Sequence, residues 1–186
     1  MKAQFFSRSA IVLSIAVAGL AAFPAWGIPF KEIPVHRYIA HYDIDELEGV
    51  EKAIRANPND ANAYMHRGMI RSHSQEDFPG AIADFSRVIE LDPNRAEAYN
   101  YRGTSYFWLK KFRQALEDYN QAIRLDPKLT IAYYNRGYVR IELGDKKGAI
   151  ADFRQGAALS KQEGDMMSYE QALEIIQDLE QSQKPD

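Results

Sequence analysis

At 186 residues, 46% apolar and 26% charged, the chain has the composition of one soluble globular domain, which excludes wholesale disorder and a polytopic membrane protein. A formal net charge of −3, with acids and bases interspersed along every segment, lacks the basic stripe that a phosphate-backbone binder presents. There is no cysteine, so disulfides, thiolate chemistry, cysteine metal sites and a lipidated N-terminus are excluded.

The first predicted element is an export signal over residues 1–27. Lys2 and Arg8 precede an uncharged run, residues 9–27, whose apolar heart spans 10–23. Ala25-Trp26-Gly27 places small residues where a signal peptidase cuts. Two readings stay open: a cleaved signal, and an uncleaved anchor whose apolar heart falls short of the roughly 20 residues of a spanning helix. Either places the rest of the chain outside the cytoplasm, in a periplasm or a lumen. No twin arginine is present, and removing the segment makes the net charge two units more negative.

Residues 28–43, with Pro29 and Pro34, read as an extended leader that either crosses the first helices or serves as a tether. Residues 44–60 read as an N-terminal capping helix with Leu47, Val50 and Ile54 on its inner face, closed by Asn57-Pro58.

An internal repeat follows, with a step of 34 or 35 residues. Ala63-Tyr64-Met65-His66-Arg67-Gly68 aligns with Ala98-Tyr99-Asn100-Tyr101-Arg102-Gly103 and with Ala132-Tyr133-Tyr134-Asn135-Arg136-Gly137. Ala81-Ile82-Ala83-Asp84-Phe85 aligns with Ala115-Leu116-Glu117-Asp118-Tyr119 and Ala149-Ile150-Ala151-Asp152-Phe153. Each unit reads as two helices, since apolar and small residues recur at three- and four-residue steps on both sides of a turn. Asp92-Pro93 and Asp126-Pro127 close the first two units, and Leu143-Gly144-Asp145 marks a turn in the third. Mid-helix glycine costs up to about 1 kcal/mol against alanine. Its recurrence at Gly68, Gly103 and Gly137 therefore predicts close helix approach, with Ala81, Ala115 and Ala149 facing it. Residues 164–182 read as a C-terminal capping helix started by Asp165, with Tyr169, Leu173, Ile176 and Leu179 as its inner stripe, and 183–186 as a disordered tail.

On these residues the chain resembles the tetratricopeptide repeat (TPR) family over about residues 61–163, in three copies: 61–95, 96–129 and 130–163. The resemblance implies an all-α, right-handed α-α superhelical solenoid of helix-turn-helix units between N- and C-terminal caps. Departures from the family pattern are Arg67, Arg102 and Arg136 before the glycines, Arg71 and Arg140 in place of a frequent tyrosine, and Lys161 in place of a closing proline.

The recurrent arginine is matched in each copy by an acid next to the second-helix aromatic. This predicts structural ion pairs Arg67–Asp84, Arg102–Asp118 and Arg136–Asp152, because three identical pairs suit a fold device better than a binding surface.

The resemblance also implies a concave surface lined by the first helices, where variable side chains hold a partner protein or peptide. Its outward positions are Asn62, Met65, His66 and Met69 in the first copy, Glu97, Asn100, Tyr101, Thr104 and Trp108 in the second, and Tyr134, Asn135, Tyr138 and Glu142 in the third. Tyrosine, asparagine and tryptophan combine contact area with hydrogen bonding. For Tyr101 and Tyr134 a purely packing role stays open. Co-chaperone TPR domains clamp a C-terminal carboxylate with lysines, an arginine and asparagines. Here Asn135 falls near one such asparagine, but no lysine lies on a first helix before Lys110, so a neutral or mixed segment is the expected ligand.

His36, His41, His66 and His73 have no zinc-motif spacing, and neither a phosphate loop nor a nucleophile elbow is present. No cofactor, metal or catalysis is expected. The expectation is an exported interaction scaffold, and the arginine-glycine variant resembles TPR proteins frequent in photosynthetic bacteria, which implies an assembly factor. A structural subunit of a membrane complex is the first alternative, and a hydrolase with a site between repeats is the remote one.

Overall fold

The computed structural model describes residues 44–182. The expected signal (1–27), leader (28–43) and tail (183–186) lie outside the described residues. The described residues form eight helices and no strand: α1 Ile44–Ala56, α2 Ala61–Ser74, α3 Phe78–Leu91, α4 Ala96–Trp108, α5 Phe112–Leu125, α6 Thr130–Glu142, α7 Lys146–Glu163 and α8 Met166–Gln181. Each helix packs on the next, so α2–α3, α4–α5 and α6–α7 are the three repeats and α1 and α8 cover the ends. Contacts also join α2 to α4 and α4 to α6, and no comparable contact joins the second helices. The first helices therefore form the inner row of a superhelical stack.

Local chemistry sets the helix ends. Asp60 caps α2 by accepting from the N–H groups of Asn62 and Ala63, and Asp165 caps α8 by accepting from Ser168 N. Asp92 and Asp126 end α3 and α5: their backbone N–H groups donate to Val88 O and Ala122 O, and their carboxylates accept from Asn94 N and Lys128 N. Pro93 and Pro127 have no N–H with which to continue the ladder. Within each repeat the turn passes through one left-handed residue, Glu76 (φ 52°), Lys110 (φ 57°) and Gly144 (φ 80°).

The second-helix aromatics Phe85, Tyr119 and Phe153 are buried and lie over the repeat glycines. A Cβ on Gly68, Gly103 or Gly137 would stand 2.7, 2.9 and 3.0 Å from the nearest carbon of those rings. The glycines therefore make room for the aromatic ring of the second helix as it approaches, and Ala81, Ala115 and Ala149 are also fully buried.

At the N-terminal end Val50, with Leu47 and Ile54, packs on Ala63 and Ile70 of α2. At the other end Ala172, Ile176 and Leu179 of α8 pack with Tyr134, Ile150, Phe153 and Ala157. Leu173 is a correction. It is 44% exposed, because the buried stripe runs through Ala172 and leaves its neighbour turned outward.

Candidate functional site

Each repeat is fastened by a polar bolt built from one motif. Arg67, Arg102 and Arg136 stand on first helices one turn after Tyr64, Tyr99 and Tyr133, and each guanidinium lies 5.4, 5.6 and 5.6 Å from its tyrosine ring. Across the repeat, Nη2 of the three arginines reaches Asp84, Asp118 and Asp152 at 2.6, 2.7 and 2.7 Å, with Nε as the second donor of a bidentate pair. All three carboxylates are buried. Arg102 Nη1 also donates to Ser86 on the preceding repeat (3.1 Å), and Arg136 Nη1 to Asn120 (2.8 Å), so the bolt ties repeats together as well as helices.

The hydrogen bonds that Arg67 and Arg102 donate to Asp84 and Asp118 raise the pKa of both arginines. Burial pushes the Asp118 carboxyl above its ordinary value, outweighing the pull of Arg102. A second arginine was not foreseen: Arg71 Nη1 and Arg140 Nη1 each donate to the same aspartates, Asp84 and Asp152, at 2.8 Å. The signal was present, since Arg71 and Arg140 lie one turn beyond Arg67 and Arg136 and depart from the family pattern at the same place.

The inner row divides by burial. Asn62, His66, Glu97, Trp108 and Glu142 are exposed, and Met69, Tyr101, Thr104 and Tyr138 are half-buried. Met65, Asn100, Tyr134 and Asn135 are buried, and for these four the expectation of an outward side chain is corrected. Met65 packs with Phe85, Val88 and Ala98. The Tyr134 ring occupies the space above Gly156 of α7, its hydroxyl is 2.9 Å from Ser160 Oγ and donates to Ser168 O at 3.3 Å, and burial raises its pKa. Tyr134 is thus a core residue at the junction of α6, α7 and α8. Asn100 and Asn135 pair with each other, Asn135 Nδ2 donating to Asn100 Oδ1 at 3.0 Å.

The half-buried aromatics have packing partners. Tyr101 stacks on Phe85 with centroids 5.6 Å apart and meets His73 edge-on at 6.3 Å. Tyr138 meets Phe153 edge-on at 5.1 Å, and burial pushes its phenol pKa up. Trp108 stacks on Phe78 at 6.0 Å. Phe78, from a second helix, is a contributor to this face that the search of first helices missed. Asn62 Oδ1 accepts from Arg95 Nη1 at 2.7 Å. Among the described residues, no group of three or more His, Asp or Glu side chains is placed to hold a metal ion, and no helix is long and apolar enough to cross a membrane.

Helix pairs stacked through one repeated motif define an all-α helical-repeat protein with a superhelical inner face. The chain is a tetratricopeptide-repeat protein with three repeats. Family models described as Tetratricopeptide repeat match residues 96–129 and 131–163, and one described as TPR repeat matches 72–110. Hsp70-Hsp90 organizing protein 3 of Arabidopsis thaliana is 31% identical over 83 residues, which is 45% of this chain and 13% of that relative. Among solved structures, the first TPR of Spaghetti (RPAP3) bound to the HSP90 peptide SRMEEVD is 26% identical, with TM-score 0.59, 66% of this chain and 91% of that one covered. The TPR2B domain of yeast Sti1, in a pHsp70 complex, has TM-score 0.62 at 20% identity, covering 66% and 98%. MamA has TM-score 0.58 at 18% identity, covering 76% and 95%. At that level of identity the last two speak for the fold alone.

Proposed function

We propose that this chain is a non-catalytic interaction module that holds a segment of a partner protein along the inner row of α2, α4 and α6, outside the cytoplasm. The observation that carries the reading is the exposed set on that row. Asn62, His66, Glu97, Trp108 and Glu142, with half-buried Tyr101 and Tyr138 between them, offer aromatic area, hydrogen bonds and two acids, and no lysine or arginine. The peptide-bound RPAP3 domain and the organizing-protein relative support peptide holding as the use of this fold. The exposed positions of the row carry no lysine or arginine, its arginines being turned to the buried aspartates, and this favours a neutral or mixed segment over a carboxylate clamp.

Trp108→Ala and His66→Ala remove contact surface without touching the buried bolts. In crosslinking followed by affinity capture from its own cells, the wild-type chain is expected to bring down a defined partner that the double variant loses while keeping its helical circular-dichroism spectrum and a cooperative unfolding transition. Capture unchanged by the double variant would move the site elsewhere. Export rests on residues 1–27. The expected result is an extracytoplasmic protein whose mature chain begins at Ile28, and an intact protein in the cytoplasmic fraction would refute it.

A further inference from the structure

The turns that join the two helices of each repeat share one edge of the stack, because every second helix starts where its first helix ends. At that edge the second and third repeats gather Lys110, Lys111 and Arg113 with Lys146 and Lys147, against the acids Glu142 and Asp145. Asp145 is already engaged: it accepts from Gly148 N and stands 3.6 Å from Arg140. The arginines of the repeat motif are all paired with aspartates, whereas Lys110, Lys111, Arg113 and Lys147 have no carboxylate partner among the described residues. The turn of the first repeat, with Glu76 and Asp77, does not share this charge.

The repeat itself does not call for these cations. A helix start carries partial positive charge and favours acids, so a cation there works against the fold. Lys111 and Arg113 nevertheless stand at the start of α5, and Lys146 and Lys147 at the start of α7. The matching start of α3 has Asp77, Phe78 and Pro79 instead. Apolar side chains lie among the cations: Leu143 is 42% exposed, and Trp108, at the corner where the inner row meets this edge, is 36% exposed. An acidic protein surface would account for the charge but not for the exposed leucine and tryptophan. The headgroup layer of a bilayer accounts for both, since a ring or an aliphatic side chain enters it while lysine ammonium groups stay at the phosphates.

The course of the chain agrees. The short link 57–60 turns α1 back along α2, so Ile44 lies at this same edge, and residues 1–43, with the uncharged run 9–27, join the fold there. We propose that the edge formed by the turns of the second and third repeats docks on an anionic lipid bilayer, with Lys110, Lys111, Arg113 and Lys147 at the headgroups and Leu143 and Trp108 in the interface. Asn62 and Glu97 stand at the opposite ends of their helices, so docking leaves most of the inner row open to a partner. The inference does not depend on what the inner row holds.

The test uses the full chain with Trp26→Phe, which leaves Trp108 as its single tryptophan. Vesicles are made of phosphatidylcholine, alone or mixed with phosphatidylglycerol, with bromine on the acyl chains as a quencher. With the anionic vesicles, Trp108 emission is expected to shift to the blue and to be quenched, and rising salt should reverse both. Pure phosphatidylcholine should do neither, so an apolar segment that inserts into both vesicles does not produce the signal. Lys110→Gln, Lys111→Gln and Lys147→Gln combined should weaken the quenching titration about fivefold for each lysine removed. Equal quenching in both vesicles, or none in either, would overturn the proposal, and neither result needs the lysine variant to fold. An unchanged titration for a folded triple variant would overturn it as well. Salt-sensitive self-association in sedimentation, lost in the triple variant while vesicles leave Trp108 unaltered, would give the edge to a second copy of the chain instead.

Discussion

The second repeat differs from its two neighbours in how its buried aspartate is held. Asp84 and Asp152 each take two arginines, Arg67 with Arg71 and Arg136 with Arg140, whereas Asp118 takes Arg102 alone because Tyr106 stands where the second arginine would be. The same two repeats have an aspartate cap at the start of the second helix, Asp77 and Asp145, each accepting from a glycine N–H. The second repeat has Lys111 there and no side-chain cap. The central repeat is flanked by a full repeat on both sides, and each outer repeat has only a single helix on one of its sides. In a stack where each unit contacts only its neighbours, the outer units receive less packing energy. The heavier polar fastening sits where that packing is thinner.

Removing the aspartates is the strongest way to break this comparison. Asp152→Asn leaves Arg136 and Arg140 pointing at one neutral group, and losing one partner of a buried pair costs about 3–5 kcal/mol. The arginines keep some exposure, so about 3 kcal/mol is expected from urea unfolding. Asp118→Asn strands one arginine rather than two, and burial already holds its carboxyl toward the neutral form, so it should cost less, about 1–2 kcal/mol. Equal costs would mean that the second arginine contributes nothing.

The pH dependence sharpens the contrast. Asp118 in the folded chain binds its proton more tightly than in the unfolded chain, so its contribution to stability is greatest at low pH and falls as pH rises from about 3.9, the unfolded value, through the raised folded one. Asp118→Asn should therefore gain on the wild type as pH rises through that window. An NMR titration of the Asp118 carboxyl carbon should show a midpoint above the ordinary carboxylate range, and a midpoint below it would reverse the sign.

The repeat organisation was legible because three copies of one pattern reinforce each other: the aromatic, glycine, arginine and aspartate landmarks mark both helices of each unit and their contact. The arginine–aspartate pairing was legible for the same reason. Burial on the inner row was not. Met65, Asn100, Tyr134 and Asn135 lie where adjacent first helices approach, and that approach depends on the curvature of the stack, which no single helix encodes. Leu173 was misplaced because Tyr169, Leu173, Ile176 and Leu179 also fit a helical stripe, one position away from the Ser168, Ala172, Ile176 and Leu179 set that is buried, and the smaller side chains of that set gave the weaker signal. Phe78 escaped notice because it belongs to a second helix and reaches the inner face only by stacking on Trp108.

The caps give a smaller test of the same comparison. Asp145→Ala removes the acceptor of Gly148 N and the partner 3.6 Å from Arg140, and should cost about 1 kcal/mol, the usual worth of an N-cap. Lys111→Ala, at the matching place in the second repeat, should stay within about 0.5 kcal/mol. Matching losses from thermal unfolding of the two variants would remove the distinction between outer and central repeats.

The smallest expected effect lies one residue before those caps. Lys110 holds a left-handed backbone at φ 57° where the third repeat uses Gly144 at φ 80°. A side chain there brings Cβ toward the following carbonyl, at about 1 kcal/mol for an L-residue, and glycine escapes that strain but loses more backbone entropy on folding. The two terms oppose each other, so Lys110→Gly should gain no more than about 0.5 kcal/mol, and Gly144→Lys should lose a similar amount. Lys111 approaches the Tyr106 ring at 6.0 Å and is unaltered by either change, so a shift in midpoint reports the backbone. A loss on Lys110→Gly would show that the central turn is held by the lysine side chain, and the second repeat would then have a fastening of its own.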